Sequence, residues 1–231
     1  MRHGFCYQET SQISCKAGGN GFEEKNLFNV EIAVDHDRYR PLEILPPTEP
    51  IIGYLGRIKK YKSVNHLLQA FVIVRATNPN ARLVIIGDGD GRASLEALSR
   101  SLGIDDAVTF TGYLPLEEKV KLINQMYLFV NTSAKEGWGL TVTEANACGV
   151  PVIASNVPGL RDAVIDGTTG WLYEYGNVQE LANKIVLLLN NPRQRSAFAA
   201  EGLKYARTFD WEKCADKMFD ALRVAVEHKK K

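Results

Sequence analysis

YLFVNTSAKEGWGLTVTE, residues 127–144, is the stretch that decides how this chain folds. It begins with an uninterrupted apolar run over 127–131, which is typical of a strand buried on both faces of a sheet. Two glycines, Gly137 and Gly139, then predict a flexible turn, and a helix is predicted over 141–148. Because a strand, a turn and a helix in that order present backbone N–H groups at the carboxyl edge of a sheet, the stretch predicts an anion site there.

Two carboxylates, Glu136 and Glu144, bracket this turn. A carboxylate accepts hydrogen bonds from sugar hydroxyls, so the pair predicts a ligand that is part phosphate and part sugar. Val142 and Ala145 flank Glu144 and indicate a buried helix, in which a carboxylate needs a partner. The alternative is a loop carboxylate at Glu136 and a surface acid at Glu144, where the helix dipole favours negative charge.

The alternation of apolar strands and amphipathic helices extends over most of the chain. Strands are predicted at 51–55, 83–86, 108–110, 128–130, 150–154 and 170–173, and helices at 64–76, 95–102, 116–126, 141–148, 160–165, 178–189, 194–206 and 211–227. This order is typical of an α/β fold with a doubly wound parallel sheet, Rossmann-like in architecture. Ligands of such sheets bind beyond the carboxyl ends of the strands, where the predicted anion site also falls.

The first 50 residues lack this periodicity. They hold a glycine-rich segment at 18–21 and the prolines Pro46 and Pro47, which favour irregular backbone. We therefore predict a poorly ordered lead-in and inter-domain linker over 1–50, and a folded domain with terminal helices over 51–231.

Composition and charge exclude several classes of function. A net charge of +1 over 231 residues gives no electrostatic basis for nucleic-acid binding. The four cysteines are scattered and have no metal-ligand spacing, which favours a reducing, cytoplasmic setting and predicts no metal site. No run approaches the roughly 18 apolar residues that cross a membrane. Peripheral attachment to a membrane stays open.

A basic cluster, Gly56-Arg57-Ile58-Lys59-Lys60-Tyr61-Lys62, follows the first predicted strand. A diphosphate is bound by several cationic donors, for which Arg supplies a planar fork and Lys a point charge. The position after a strand therefore favours phosphate binding. A solvated surface turn is the alternative.

Three further loops follow predicted strands. The glycine-rich run at 87–91 resembles a dinucleotide fingerprint, but Arg92 stands where GxGxxG requires glycine, so a tight turn is favoured over an NAD-dependent oxidoreductase. The loop at 112–115 either places backbone groups and an aromatic ring against a base or simply leads into a helix with Pro115 at its first position. The segment at 156–162 is either one wall of the pocket or a helix-start turn.

Taken in order, these segments resemble the nucleotide-sugar-binding half of retaining GT-B glycosyltransferases of the family four group. The resemblance runs from about residue 29 to about residue 222 and rests on Gly56-Arg57 with Lys62, Gly87-Asp88-Gly89, Phe110-Thr111-Gly112-Tyr113, Glu136-x7-Glu144, the run over 147–154 and Asp166-Gly167-Thr168-Thr169-Gly170. It implies a single GT-B half-domain.

The resemblance also implies catalytic roles. Arg57 and Lys62 would neutralise the diphosphate of the donor and stabilise it as a leaving group. Glu136 would accept hydrogen bonds from the transferred sugar, and Glu144 from the ribose.

Other residues would complete the donor site. Backbone groups would hold the phosphates and sugar or meet the base, at Gly56, Tyr113, Leu114, Gly137, Trp138, Gly139 and Leu140. The implied donor is a UDP-, GDP- or ADP-sugar, with no further cofactor and no divalent metal.

This sequence departs from the family pattern in composition and in length. Ser63 stands where a glycine commonly follows the lysine, Ala33 where the linker often has glycine, and Trp138 where phenylalanine is more common. The resemblance implies an N-terminal, acceptor-binding domain, and we expect that this chain lacks it. We therefore expect the donor-binding half of a hexosyltransferase-like enzyme of carbohydrate biosynthesis, inactive alone. The alternative is a non-catalytic binding or assembly module that pairs with a separate acceptor-binding subunit.

Overall fold

A computed structural model describes residues 32–45 and 47–229. Its centre is a six-stranded sheet with all neighbouring strands parallel. The strands are β1 (Ile51–Leu55), β2 (Arg82–Ile86), β3 (Val108–Gly112), β4 (Leu128–Asn131), β5 (Val152–Ser155) and β6 (Gly170–Tyr173). They lie in the order β3-β2-β1-β4-β5-β6. The sequence prediction of a doubly wound parallel sheet is confirmed.

Helices connect the strands and extend the chain beyond β6. In the described residues they are α1 (Val64–Thr77), α2 (Arg92–Ser101), α3 (Leu116–Asn124), α4 (Leu140–Ala147), α5 (Leu160–Ala163), α6 (Val178–Leu189), α7 (Pro192–Ala206) and α8 (Trp211–Lys229). Short 3-10 turns lie at Lys60–Lys62 and Asp105–Ala107. No helix of this described part is both long and apolar enough to cross a lipid bilayer.

Both faces of the sheet are buried, which explains the continuous apolar runs of the strands. Neighbouring residues alternate between two clusters. Ile85 and Val130 belong to one cluster, together with Phe71 of α1, whereas Ile86 and Phe129 belong to the other. Helices therefore cover each face, and the ends of the sheet are left for a ligand.

The strand order reverses between β1 and β4, which are neighbours in the sheet although β2 and β3 come between them in the chain. In open α/β sheets, the crevice outside the carboxyl ends of the strands at such a reversal is the usual ligand site. The loops that follow β1 and β4 flank this crevice.

Every predicted strand and helix is present, and the differences lie at their ends. Strand β5 begins at Val152 rather than at residue 150. Pro151, which has no N–H, contributes only its carbonyl, which accepts from the Phe129 N–H at 2.9 Å. Helix α3 begins at Leu116, as predicted, and ends at Asn124 rather than at residue 126; Pro115 is its N-cap residue and not its first helical residue, which was one alternative for this loop.

The described part of the predicted linker packs against the domain. Val34 and Tyr39 are buried, and the Val34 N–H donates to the Phe209 carbonyl at 3.1 Å. The Leu42 N–H donates to Oδ1 of Asn124 in α3 at 2.8 Å. Residues 1–31, where the poorly ordered lead-in is predicted, lie outside the described residues. The domain boundary at residue 50 stays a prediction.

Candidate donor-binding site

The loops after β1 and β4 meet through an ion pair between Lys62 and Glu136. The Lys62 ammonium donates to Oε1 of Glu136, and each side chain is only 14% exposed. The same carboxylate oxygen accepts from the Ser133 hydroxyl at 2.7 Å. Two residues that sequence reasoning predicted for the site are therefore in direct contact, although they are 74 positions apart.

Further hydrogen bonds hold the two loops together beside this ion pair. The Thr132 hydroxyl donates to the Lys62 carbonyl at 2.8 Å, and the Ala134 N–H donates to the Tyr61 carbonyl at 2.7 Å. Because Thr132 is fully buried, this contact is part of the folded framework. The Lys62 backbone is thereby fixed against the end of β4.

Ser63 explains one departure from the family pattern. In the described part of the chain it is the only non-glycine residue with positive φ, at 50°. A left-handed backbone is the conformation that glycine adopts at least cost, which accounts for the common glycine at this position. Here the serine hydroxyl instead bonds the Tyr175 hydroxyl at 2.9 Å and ties the loop after β6 to the Lys62 loop.

A cavity of about 470 Å³ opens at the ends of β1, β2 and β3. Ligand pockets commonly have volumes of roughly 300–1,000 Å³. Its walls comprise Leu55, Gly56, Arg57, Ile86, Gly87, Asp88, Tyr113, Leu114, Leu116 and Lys119. Four predicted site residues, Gly56, Arg57, Tyr113 and Leu114, thus share one cavity. Arg57 is exposed, and the Tyr113 side chain is 86% exposed at the rim.

The glycine-rich run after β2 is a packing feature. A Cβ atom at Gly87 would lie 2.1 Å from the Gly56 carbonyl oxygen, and Gly87 has a φ of +127°. A Cβ at Gly89 would lie 2.2 Å from the Ile58 carbonyl oxygen. These glycines let the β2 loop pack on the β1 loop, as the prediction of a tight turn implies, and the geometry explains them without a dinucleotide.

The turn between Glu136 and α4 is anchored from two sides. Gly139, the N-cap residue of α4, has a φ of +88°. The Trp138 indole N–H donates to the Thr143 hydroxyl at 3.2 Å, and its ring packs edge-on against Phe209 with centroids 5.0 Å apart. Gly137 and Leu140, the other predicted members of this turn, are exposed.

The segment at 156–162 packs against this turn. A Cβ at Gly159 would lie 2.3 Å from the Glu136 carbonyl oxygen. A Cβ at Gly139 would lie 2.8 Å from Cδ2 of Leu160. The segment therefore borders the Glu136 turn and also leads into α5 at Leu160, so it is the predicted helix-start turn, and its role as a wall of the site stays a prediction.

Glu144 lies apart from the Lys62–Glu136 pair, beside two residues that sequence reasoning missed. Burial raises the pKa of Glu144 above its ordinary value, and the charge of Lys119 and a hydrogen bond from Tyr39 partly offset this effect. Lys119 also lines the cavity, and its ammonium donates to the Tyr39 hydroxyl. Glu144 is thus linked to the cavity through Lys119.

The position of Lys119 carries a weak sequence signal, since a residue in the first turn of a helix that follows a strand lies near the carboxyl edge of the sheet. Tyr39 carries none, because it lies in an irregular segment far from the strands in sequence.

A family model described as "Glycosyl transferases group 1" matches residues 35–205. This chain belongs to that family. Curated relatives include the D-inositol 3-phosphate glycosyltransferase of Rhodococcus jostii (strain RHA1), which is 33% identical over 221 residues, with 89% of this chain and 49% of the relative covered. The enzyme of the same name from Rhodococcus opacus (strain B4) is 34% identical, with 89% and 50% covered. The chain spans about half the length of these relatives.

Solved structures give the same fold. Sucrose-phosphate synthase from Thermosynechococcus elongatus superimposes with a TM-score of 0.79 at 28% identity, covering 87% of this chain and 53% of that one. The C-terminal domain of a glycosyl transferase group 1 family protein (LpcC) from Francisella tularensis gives a TM-score of 0.69 at 26% identity, covering 76% of this chain and 97% of that one. The glycosyltransferase fold expected from the sequence, including its GT-B resemblance, is confirmed.

Proposed function

We propose that this glycosyltransferase domain binds the nucleoside diphosphate sugar that donates the glycosyl group. The observation that carries the proposal is the Lys62–Glu136 pair at the point where the strand order reverses, with Lys62 in the same loop as Arg57, which lines the cavity. A cation and a carboxylate side by side suit a ligand whose phosphate and sugar are adjacent.

Arg57 and Lys62 hold the diphosphate in this proposal. They lie in the same loop, which begins directly after β1; Arg57 is exposed there, and the charge of Lys62 is shared with Glu136. As the bond between sugar and phosphate breaks, negative charge grows on the leaving diphosphate. Fixed cations stabilise that charge at no further cost of reorganisation.

The two carboxylates receive the hydroxyl groups of the donor. Glu136 accepts hydrogen bonds from the transferred sugar, a role that its contact with the proposed phosphate ligand Lys62 supports. Glu144 accepts hydrogen bonds from the ribose. It interacts with Lys119, which lines the cavity together with Tyr113 and Leu114. The backbone of Gly137–Leu140 holds the phosphates at the start of α4, and that of Tyr113–Leu114 meets the base.

Transfer with retention of the anomeric configuration and without a divalent metal is part of the same proposal, because Arg57 and Lys62 supply the charge that a metal would provide. The chain alone binds the donor without transferring its sugar at an appreciable rate, since the relatives that it matches are about twice as long.

Calorimetric titration with UDP, GDP and ADP tests the proposal. We expect one of them to bind with roughly micromolar to millimolar affinity. Replacing Arg57 or Lys62 by alanine removes a charge-assisted contact of about 1.5–3 kcal/mol, which weakens binding roughly 10- to 150-fold. Lys60→Ala is the matched control, since Lys60 is an exposed cation of the same loop. Equal effects of Lys60→Ala and Lys62→Ala, or no binding by the wild type, would refute the proposal.

A further inference from the structure

Three polar side chains lie together behind the cavity, and one of them, Lys119, lines it. The Lys119 ammonium donates to the Tyr39 hydroxyl and lies 5.0 Å from the centroid of the Tyr39 ring. The next group is the Glu144 carboxylate: burial raises its pKa, and the charge of Lys119 and the Tyr39 hydroxyl partly offset this effect. Since Lys119 lines the cavity, these contacts connect the ligand space to the partly buried carboxylate.

The framework holds Tyr39 in place. The Tyr39 N–H donates to the Asp35 carbonyl at 2.8 Å, and the Tyr39 side chain is buried. Asn124 lies at the end of α3, and its side chain holds the residues that follow Tyr39. It accepts from the Leu42 N–H at 2.8 Å and donates to the Arg40 carbonyl at 3.1 Å. Tyr39 and Lys119 are therefore positioned by the same helix.

Among the described residues, three neighbours interact electrostatically with Glu144. From the segment before β1 it faces Tyr39, and from α3 it faces Lys119. From its own helix end it faces Cys148, whose thiol has a pKa raised by burial to about 12 and is therefore neutral. Burial and the nearby Glu144 also raise the pKa of Tyr39 above its ordinary value, so the phenol keeps its proton and donates. Lys119 is the positive charge in this set.

We propose that Lys119 and Tyr39 are a positioning pair that holds the Glu144 carboxylate as an acceptor for the vicinal hydroxyls of the donor's ribose. Tyr39 fixes the direction of the carboxylate, and Lys119 supplies the charge that keeps it ionised in a buried place. The inference rests on the proposed function and deepens it, because it names the residues that make the site selective for a ribonucleotide.

The test compares UDP with 2′-deoxy-UDP by calorimetry between about pH 5.5 and pH 8.5. The ratio of the two dissociation constants measures the contribution of the ribose hydroxyl. In the wild type the ratio favours UDP by roughly tenfold or more, the effect of one charge-assisted hydrogen bond. In Lys119→Met the pKa of Glu144 rises further, so at low pH the ratio falls toward one and recovers only at higher pH. Tyr39→Phe lowers the ratio at every pH.

Controls separate this role from a structural one. Lys121→Met removes an exposed lysine of the same helix and leaves the ratio unchanged, and Lys119→Arg restores most of it. If Lys119→Met does not fold, Lys119→Gln carries the same test. Independently of any ligand, carbon-13 NMR of the Glu144 carboxyl shows a higher pKa in Lys119→Met than in Lys121→Met. The same pKa in both variants, or an unchanged ratio in Lys119→Met, would overturn the inference. Failure of the wild type to bind any nucleoside diphosphate would instead refute the proposed function.

Discussion

Removing one partner of the Lys62–Glu136 pair is expected to destabilise the domain. Loss of one partner from a fully buried ion pair costs about 3–5 kcal/mol, whereas an exposed pair contributes about 0–1 kcal/mol. Each side chain here is 14% exposed, and Glu136 keeps its hydrogen bond from Ser133 when Lys62 is replaced. We therefore expect a loss of about 2 kcal/mol for Lys62→Met, which corresponds to a fall of roughly 4–8 °C in the melting temperature.

A double-mutant cycle measures the contact itself. Lys62→Met, Glu136→Gln and the double variant are unfolded in urea, and the coupling free energy is expected to be about 1.5 kcal/mol. The chain offers a matched control in the exposed pair Lys59–Asp90, with a separation of 2.7 Å and side chains 37% and 69% exposed. Its coupling is expected to stay below about 0.5 kcal/mol. Equal coupling in the two cycles would show that Lys62 and Glu136 do not share a desolvated contact, and would refute the site geometry.

Three further predictions concern Glu144, the glycine-rich run and the metal. Glu144→Gln should have a higher melting temperature than the control Glu118→Gln, and this difference should grow as the pH rises from about 4 to 8. A carboxyl whose folded-state pKa is raised stabilises the fold fully at low pH and loses that contribution as the pH passes the folded-state pKa. Gly87→Ala should cost more than about 2 kcal/mol in urea unfolding, because its Cβ would lie 2.1 Å from a backbone oxygen. Gly103→Ala is the control, because no atom lies within 4 Å of the added Cβ. It should lower the free energy of unfolding only by the strain of a left-handed backbone, about 1–2 kcal/mol. EDTA should leave the affinity for the nucleoside diphosphate unchanged, and a tenfold loss would contradict metal-independent binding.

The sheet was predictable because it is buried on both faces. The inner strands must be apolar at consecutive positions, as Ile85 and Ile86 are, since the two side chains belong to opposite layers of the core. The ends of elements were less predictable, because they depend on partners elsewhere. The carbonyl of Pro151, for instance, is paired with the N–H of Phe129 on the neighbouring strand.

The candidate site was predictable only in part. The positions of Arg57, Lys62 and Glu136 after strands place them at one edge of the sheet, but their adjacency depends on the strand order, which periodicity does not give. Lys119 and Tyr39 reach Glu144 because the segment before β1 folds back onto α3. That contact joins residues 80 positions apart and leaves no local pattern in the sequence.

We expect a nucleoside diphosphate to bind at the carboxyl ends of β1, β3 and β4, in contact with the loops that follow them. Amide NMR spectra recorded during a titration with UDP test this claim most directly. We predict that the shifted signals belong to residues 56–63, 112–114 and 136–144. Shifts confined to the opposite edge of the sheet, such as the loop at 78–81 before β2, would contradict it.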